Sequence, residues 1–572
     1  MKNIIRALKS FIKKEYSYQN KEILAVWEKP LETRVAQGEA IAKIKIDRYT
    51  GNRLVLECLD GNLSKFRVGD RVRLSTNQPK MKFYTCEIEE EDGNVIEVSA
   101  RFAEDLPDLQ LGAVWTLDKD IVGLKDRACK IIDELKRNDC KYEYFKDLVQ
   151  GKIFPNLNSS RKMEAEKLVK TLHMDCSQEE AFIFSYATEN FYLIQGPPGT
   201  GKTYVLSYLA RQLAEEGECI LITAVTHRAI NNALNMISRE TGYRKILKVG
   251  RHNRAGDLKG IRNYVKLKNS NIKSDTKGII IGATPHADLA DIFFDTVIFD
   301  ESGQLTLPLA IPGILSGTKH IFIGDHQQMG PVIQCDHKDE WLKKSIFETL
   351  FQKNNGTVLK KTYRMNEAIN KFPSKYFYKN MLTPTEDART RTLSIDKEPI
   401  KFPILLSPHY PEIFLEVFHT GNTIRSKEEA DIVADLVEDA LNAGLFVNDI
   451  AVITPYRAQA RLIRAMLHSK NILQTEKDDE ILMVDTVERI QGQEKEMIII
   501  SLTTSDPEYA KEQADFYFKP NRLNVAITRA KTKRIVIGSP CLFDVKDINY
   551  QYQQWVGLFH SFYQESTRMK LP

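Results

Sequence analysis

The chain has 572 residues, of which 42% are hydrophobic and 28% are charged, and its formal net charge is +4. This composition is typical of a globular protein and excludes a disordered or fibrous chain. The length predicts about three to five domains. Because the net charge is small, any binding to a polyanion must depend on local clusters of basic residues.

Residues 1–20 have the spacing of an amphipathic helix, with Ile4, Leu8 and Phe11 on one face and lysines on the other. The segment lacks the continuous apolar core and the cleavage site of a signal peptide. Two interpretations stay open: a helix packed on its own protein, which we favour, and a helix lying on a membrane surface.

No apolar run along the chain approaches the ~18 residues that would span a bilayer, so we expect no membrane partner. The eight cysteines are scattered and include no C-x-x-C pair. This pattern argues against a zinc site or a disulfide framework, and it predicts a reducing, cytoplasmic location.

Residues 21–118 alternate short runs of period two with the turn signals Gly51-Asn52, Asp60-Gly61 and Asp92-Gly93, which predicts a small β-barrel. Residues 119–170 are rich in lysine and glutamate and predict helices. From residue 171 onwards, short apolar β-rich runs alternate with helical stretches, a pattern typical of parallel sheets covered on both faces. The alternation restarts after residues 335–345, so we expect two α/β domains, at 171–338 and 339–572.

A basic insertion is expected at about 240–277. Between Arg244 and Lys277 there are eleven lysines or arginines against two acids, Asp257 and Asp275. A solvated charged surface and a contact with a phosphate backbone both explain this excess.

A glycine-rich loop at residues 196–203 follows a β-rich run and precedes a helical one, as a phosphate-binding loop requires. Its glycines let consecutive backbone N–H groups face one anion. We expect Lys202 to reach the β- and γ-phosphates of ATP and the Thr203 hydroxyl to hold Mg²⁺. The nucleotide-binding residues expected here are Gly196, Pro197, Pro198, Gly199, Thr200, Gly201, Lys202 and Thr203.

Two carboxylates follow the predicted strand at residues 297–299, about 100 residues after the loop. Asp300 is a candidate ligand for Mg²⁺, and Glu301 is a candidate general base for the attacking water. A third polar segment, at 324–328, follows a further strand, so these groups are expected at one edge of the same sheet.

The complete set of motifs resembles superfamily 1 helicases, in the 5′-to-3′ branch that contains the nonsense-mediated-decay RNA helicase. The resemblance covers residues 176–540 directly and implies a core of two tandem RecA-like, doubly wound parallel-sheet domains of the AAA type. It also implies an N-terminal accessory β-barrel on a helical stalk. The segments that carry it, in order, are 196–203, 300–304, 324–332, 363–365, 453–456, 486–494 and 522–531.

The resemblance also implies roles for individual residues. Gln178 would read adenine and Tyr363 would stack on it, Arg364 would touch the γ-phosphate, and Arg529 would act as the arginine finger. Gln304 and Gln328 would sense the γ-phosphate. Gly492 and Glu494 would contact the nucleotide from the second domain.

Four threonines resemble motif positions that bind strand phosphates: Thr226, Thr284, Thr454 and Thr486. Structural explanations stay open for several of the candidates. The threonines are also suited to cap helices, and Gln178 is suited to start one. Tyr363 is suited to fill a hydrophobic core, and Arg364 and Arg529 are suited to form interdomain ion pairs.

We therefore expect an ATP-hydrolysing helicase or translocase that uses Mg²⁺ and moves on single-stranded DNA or RNA. We weigh three alternatives. The first is a nucleic-acid-stimulated ATPase that remodels nucleoprotein without unwinding. The second, a small-molecule kinase built on the phosphate loop, would not need the motifs after residue 360. The third is a non-catalytic nucleic-acid clamp, against which the presence of both Lys202 and Glu301 counts.

Overall fold

The computed structural model has defined positions for residues 4–62, 64–66, 68–92, 94–100, 113–121, 123, 125–270, 272–273, 275–289, 292–351, 355–472 and 482–571. None of the helices in these ranges combines the length and the apolar composition that crossing a bilayer requires.

The N-terminal segment is a helix that packs on the protein itself. Helix α1 (Ile4–Trp27) buries Ile4, Leu8 and Phe11 in a hydrophobic cluster shared with four later helices and the first large sheet. It is longer than the expected 1–20. Its apolar face is therefore covered by its own chain, which confirms the interpretation that we favoured.

Six strands of the described chain close into an antiparallel barrel in the order β1-β2-β5-β4-β3-β6. The barrel was expected, and its strands lie at 40–119 because α1 and the short helix α2 occupy the residues before them. The bounds are α2 Leu31–Ala36, β1 Ala40–Thr50, β2 Arg53–Cys58, β3 Arg71–Ser75, β4 Phe83–Asp92, β5 Val95–Ala100 and β6 Trp115–Lys119. The expected turn at Asp92-Gly93 includes a residue outside the described ones.

The first α/β unit is built on an eight-stranded parallel sheet in the order β10-β9-β11-β8-β12-β13-β7-β14. Its strands are β7 Phe191–Gln195, β8 Cys219–Thr223, β9 Ile246–Val249, β10 Arg262–Tyr264, β11 Ile279–Ala283, β12 Phe294–Phe299, β13 Gly317–Gly324 and β14 Gly356–Val358. Its helices, with those that precede it, are α3 Lys125–Arg137, α4 Asp139–Val149, α5 Ser159–Leu168, α6 Cys176–Ala187, α7 Lys202–Glu215, α8 His227–Thr241, α9 Leu307–Ser316 and α10 Ile346–Leu350.

Both faces of this sheet are covered, as the continuous apolar runs predicted. In β12, Val297 and Phe299 enter the cluster on one face, which includes α1, α3 and α4, while Ile298 enters the cluster on the other. Side chains alternate between the faces of a strand, so a strand buried on both sides must be apolar at every position.

The structure corrects two of the sequence-based boundaries. Strand β14 pairs with β7, so the first sheet extends to residue 358 and the second domain does not begin at 339. The basic stretch at 240–277 is not wholly an insertion, because it supplies β9 and β10 of the same sheet. Both errors concern short strands of three or four residues at the sheet's margins, where the hydrophobic pattern is weakest.

The second α/β unit has a six-stranded parallel sheet in the order β19-β18-β20-β21-β17-β22, and a two-stranded ribbon, β15-β16, precedes it in the chain. Its strands are β15 Lys361–Thr362, β16 Thr383–Pro384, β17 Glu412–Glu416, β18 Ile450–Thr454, β19 Met483–Thr486, β20 Lys495–Ser501, β21 Ala530–Gly538 and β22 Arg568–Lys570. Its helices are α11 Glu367–Phe377, α12 Glu386–Arg389, α13 Lys427–Asn442, α14 Arg457–Ser469, α15 Val487–Ile490, α16 Pro507–Glu512, α17 Ala514–Tyr517, α18 Pro520–Ile527 and α19 Tyr550–Glu565.

The α/β class with parallel sheets and an N-terminal closed barrel is thus confirmed. Within each parallel sheet the carboxyl ends of all strands lie at one edge, and the loops that leave that edge bring distant parts of the chain together. The candidate functional residues lie on these loops.

A buried ion pair joins helix α2 to the barrel. Arg34 pairs with Asp118 on β6, with side-chain exposures of 3% and 0%. Burial raises the pKa of Asp118, and the Arg34 guanidinium opposes that rise. Removing either partner would therefore leave a charge buried without compensation.

We expect Arg34→Ala to destabilise the barrel by about 3–5 kcal/mol, the usual cost of breaking a buried pair. The measurement is urea unfolding of the full chain, followed by circular dichroism. Lys80→Ala is the matched control, because Lys80 pairs with Glu28 at 3.0 Å on the surface of the same region, with exposures of 46% and 69%. It should cost at most about 1 kcal/mol. Equal losses in the two variants would contradict the prediction.

Candidate functional site

The glycine-rich loop has the predicted strand–loop–helix geometry. It leaves β7 after Gln195 and ends in α7, which begins at Lys202. Gly199 and Gly201 have φ of +72° and +77°, a region that favours glycine. The Lys202 Nζ donates to the Gly196 carbonyl oxygen at 2.6 Å, so the lysine side chain spans the loop.

The segment 362–364 lies directly on this loop. The Tyr363 N–H donates to the Gly199 carbonyl at 2.8 Å, and the Thr362 hydroxyl donates to the Pro198 carbonyl at 3.0 Å. A Cβ placed on Gly199 would lie 2.4 Å from the Cβ of Arg364. The loop and this segment are therefore in close contact only because residue 199 has no side chain.

Gln178 connects the start of α6 to the same loop. Its Nε2 donates to the Thr200 carbonyl at 3.0 Å. Its Oε1 accepts from the Asp175 N–H at 3.2 Å in a capping box. The hydroxyl of Tyr363, a side chain that is 43% exposed, donates to Asp175 at 3.0 Å. Gln178 thus lies at the start of a helix, as its structural alternative predicted. It also faces the candidate nucleotide site together with Tyr363.

Asp300 and Glu301 follow β12 at the same sheet edge. Asp300 is buried, and its Oδ1 accepts from the Glu301 N–H at 2.9 Å. Burial and the charge of Glu301 raise the pKa of Asp300, whereas the Lys202 ammonium opposes the rise. Glu301 has a φ of +48°, and its carboxylate lies 3.5 Å from the Gln304 amide nitrogen.

This arrangement fits a magnesium ion. A carboxylate as buried as Asp300 is stabilised by a cation, and carboxylate and hydroxyl oxygens are the ligands that Mg²⁺ prefers. Asp300 at the end of β12 and Thr203 at the start of α7 are the residues of this set that would hold it.

The candidate arginine Arg529 is buried between the two α/β units, with 2% exposure. Its Nη2 donates to the Gln328 Oε1 at 3.0 Å, and its Nε donates to the Val525 carbonyl at 2.9 Å. Burial and the nearby Arg364 lower the pKa of Arg529, while the Glu301 carboxylate raises it. Gln328 and Arg529, from different units, are therefore in direct contact.

Arg364 lies beside this pair and is held by the second unit. Its Nε donates to Glu494 Oε2 at 2.7 Å, and its Nη1 donates to the Thr528 carbonyl at 3.0 Å. Burial alone would raise the pKa of Glu494, but the Arg364 guanidinium holds it below its usual value. Gly492, with a φ of +80°, lies in the loop that leads to Glu494.

Sequence reasoning assigned no role to the polar residues that lock the 324–328 loop to the second unit. The Tyr378 hydroxyl donates to the Asp325 carboxylate at 2.7 Å, and the Asn524 amide donates to the Tyr378 oxygen at 2.8 Å. The Asn521 amide donates to the His326 carbonyl at 2.9 Å. Asn521 and Asn524 lie three residues apart on α18, and that helical spacing was the available signal.

The four candidate threonines all lie at carboxyl edges of the sheets. Thr226 caps α8 by accepting from the Ala229 N–H at 3.2 Å, as the structural explanation predicted. Thr284 follows β11, and Thr454 at the end of β18 donates to the Tyr456 carbonyl at 2.7 Å. The buried Thr486 hydroxyl has no hydrogen-bond partner among the described residues.

Fold and loop together define a P-loop nucleoside-triphosphate hydrolase with two α/β units. Models of the AAA domain match residues 173–277 and 342–540. The helicase/nuclease DNA2 of Saccharomyces cerevisiae is 30% identical, over 73% of this chain and 29% of that protein. DNA polymerase alpha-associated DNA helicase A of Schizosaccharomyces pombe is 29% identical over 81% and 77%. The regulator of nonsense transcripts 1 homolog of Drosophila melanogaster is 27% identical over 72% and 39%.

The chain belongs to the superfamily 1 helicases, in the branch that contains the nonsense-mediated-decay helicase, and it carries their ATP-hydrolysing core. It spans less than half the length of two of these three curated relatives.

The contact between Gly199 and the 362–364 segment yields a test. We expect Gly199→Ala to weaken ATP binding by about tenfold or more, or 1.4 kcal/mol, because the added Cβ must displace Arg364 or the loop. Isothermal titration with ATP measures the change. Gly242→Ala is the control: Gly242 has a φ of +71°, yet its Cβ would meet nothing within 4 Å. Equal affinities for the two variants would contradict the role of the contact.

Proposed function

We propose that this protein is an ATP-dependent helicase that moves 5′ to 3′ along a single strand of nucleic acid. The two sheets are assigned as tandem RecA-like domains, and α1, α3 and α4 as the stalk that carries the barrel. The observation that supports this best is the convergence of Arg364 and Arg529 with the phosphate loop and Glu301. Catalysis at a domain interface needs groups from both sides, and these residues supply them.

The nucleotide is assigned to the loop at 196–203. Its backbone N–H groups and the Lys202 ammonium would hold the phosphates, with Lys202 exchanging the Gly196 carbonyl for a phosphate oxygen. Gln178 and Tyr363, which already face each other across the loop, would bind the adenine. Stacking on Tyr363 needs an accessible ring, and its 43% exposure meets this requirement.

Hydrolysis is assigned to Glu301 as the general base that takes a proton from the attacking water. Arg364 and Arg529 would stabilise the negative charge that develops on the transferred phosphoryl group. Mg²⁺, held by Thr203 and Asp300, would neutralise charge on the β- and γ-phosphates. The left-handed backbone at Glu301 is the kind of local strain that accumulates at active sites.

The coupling of chemistry to motion follows from the partners of the two arginines. Arg364 is paired with Glu494, and Arg529 with Gln328. A γ-phosphate would compete with Glu494 for Arg364 and would draw the units together, and its loss would restore the present pairs. Gln304 and Gln328 would carry this change to the loops around them, so that a local change of charge moves one unit against the other.

The nucleic-acid strand is assigned to the sheet edges that carry Thr226, Thr284, Thr454 and Thr486. A threonine hydroxyl donates well to a phosphate oxygen, and the buried Thr486 hydroxyl, which has no hydrogen-bond partner among the described residues, would gain one if this sheet edge opens to the strand. The partner is single-stranded DNA or RNA, since the relatives include DNA helicases and a regulator of nonsense transcripts. We assign the protein to the cytoplasm.

The function is tested by steady-state ATP hydrolysis with and without single-stranded DNA or RNA at matched salt, because such binding depends steeply on ionic strength. Unwinding of duplexes with 5′ or 3′ overhangs then separates a helicase from an ATPase that only remodels nucleoprotein. Stimulated hydrolysis and unwinding from a 5′ overhang support the proposal. Hydrolysis that neither nucleic acid stimulates would overturn it.

In this assay we expect Arg529→Ala to lower the stimulated rate by about 10³–10⁵-fold while ATP still binds, because an arginine finger acts mainly on the transition state. Arg389→Ala, at an exposed arginine of the same unit, should keep the natural rate. The rate of Lys202→Ala, which lacks the lysine of the phosphate loop, gives the background rate of the assay. An Arg529→Ala chain that hydrolyses ATP at the natural rate would remove this residue from the site.

Thr486→Val tests the strand contact. Loss of a hydrogen bond to a charged phosphate should weaken binding of single-stranded nucleic acid by about tenfold or more. The melting temperature should stay equal or rise, because the buried hydroxyl is unpaired in the free chain. Thr532→Val is the control: it should leave binding of the strand unchanged and lower the melting temperature, because the buried Thr532 hydroxyl donates to the Glu496 carbonyl at 2.8 Å. Fluorescence anisotropy and thermal unfolding measure the two properties. Unchanged anisotropy for Thr486→Val would exclude the contact.

A further inference from the structure

A cluster of three metal-ligating side chains lies away from the phosphate loop. It joins Glu15 on α1 to Cys335 and His337, in the segment that follows the 324–328 loop. The Glu15 Oε1 lies 2.7 Å from the His337 Nε2 and accepts from the Cys335 Sγ at 3.0 Å. The Cys335 Sγ lies 3.3 Å from the same Nε2. One carboxylate oxygen, one thiol and one imidazole nitrogen therefore meet at a single point.

The three side chains are held in place by groups around them. The Gln334 N–H donates to Glu15 Oε2 at 2.9 Å, and the Cys335 N–H donates to Glu15 Oε1 at 3.2 Å. The His337 ring is 4% exposed and packs on the Phe11 ring at a centroid distance of 4.3 Å. The buried apolar face of α1 thus fixes the imidazole, and backbone N–H groups fix the carboxylate.

We propose that Glu15, Cys335 and His337 form a binding site for a divalent transition metal of the zinc class. Thiolate, imidazole and carboxylate together are a donor set that suits Zn²⁺, whereas Mg²⁺ prefers oxygen ligands alone. The thiolate and the carboxylate would also balance the two positive charges of the ion. The site is separate from that assigned to magnesium.

The distances are compatible with metal entry after a small adjustment. Ligand atoms around a tetrahedral zinc ion, with bonds of about 2.0–2.3 Å, lie about 3.3–3.7 Å apart. The present separations of 2.7–3.3 Å are those of hydrogen bonds, which the metal would replace. Glu15 and Cys335 are partly exposed, so the fourth position opens to solvent and can take water.

Binding requires that the thiol lose its proton. Burial and the Glu15 carboxylate raise the pKa of Cys335 to about 11, so the thiol is protonated at neutral pH without metal. When the S–metal bond forms, the S–H bond breaks and the proton passes to the buffer. The Glu15 carboxylate can only accept, so the His337 Nε2 carries a proton in the metal-free chain. That proton moves through solvent to Nδ1 of the same ring, and Nε2 then offers its lone pair to the metal.

A metal at this point would tether α1 to the segment behind the 324–328 loop. The sequence argued against a zinc site, because Glu15 lies 320 residues from Cys335 and the Cys335-x-His337 spacing is not a recognised pair. The inference is independent of the function proposed above, since neither the phosphate loop nor the threonines take part.

The test is titration of the metal-free chain of 572 residues with CoCl₂, an optical substitute for Zn²⁺. We expect one equivalent to bind with a thiolate-to-cobalt charge-transfer band, and ZnCl₂ to displace it. Cys335→Ser should abolish the band and weaken binding by more than about 100-fold, because even a partner that only orients a ligand costs about 10–100-fold. Cys140→Ser, at an exposed cysteine, should bind like the natural chain.

The natural chain alone can overturn the proposal, so misfolding of a variant does not leave the question open. Absence of a thiolate band at stoichiometric CoCl₂ would show a hydrogen-bonded cluster and no metal site. A band that persists in Cys335→Ser would place the metal at another cysteine. A change in the pH of a weakly buffered sample gives a second readout, since about one proton should be released per metal bound.

Discussion

The interface between the two α/β units depends on the buried guanidinium of Arg529. A buried cation is stable only when polar groups satisfy it, and here Gln328 of the first unit and the Val525 carbonyl of the second do so. The same glutamine donates to Asp325 at 2.8 Å, so the 324–328 loop is bound to the arginine and to its own sheet edge at once. The two units are therefore joined at this point by a direct hydrogen bond between Gln328 and Arg529.

A second connection passes through only three residues. Thr362 and Tyr363 donate to carbonyls of the phosphate loop, while Arg364 binds Glu494 and the Thr528 carbonyl in the second unit. One end of this short segment thus contacts the phosphate loop of the first unit, and the other end contacts the second unit. A path of only three residues therefore connects the phosphate loop to Glu494 and Thr528 of the second unit.

The N-terminal region supports this arrangement from outside. Helix α1 shares a hydrophobic cluster with the first sheet, and Glu15 on it reaches the segment that follows the 324–328 loop. The barrel contacts both units: Glu87 pairs with Arg251, and Arg457 donates to the Lys65 carbonyl. These contacts limit the positions that the units can take relative to the barrel, and Arg251 belongs to the basic stretch at 240–277.

The sequence alone determined the α/β class, the barrel and the order of the strand-end motifs, because these depend on local spacing, hydrophobic period and glycine position. Only the tertiary structure decided that β14 completes the first sheet, that β9 and β10 belong to it, and that Asn521 and Asn524 bind the 324–328 loop. It alone brought Glu15 to Cys335 and His337. Short strands carry too few residues for a periodic signal, and contacts between distant residues form only when whole elements pack together.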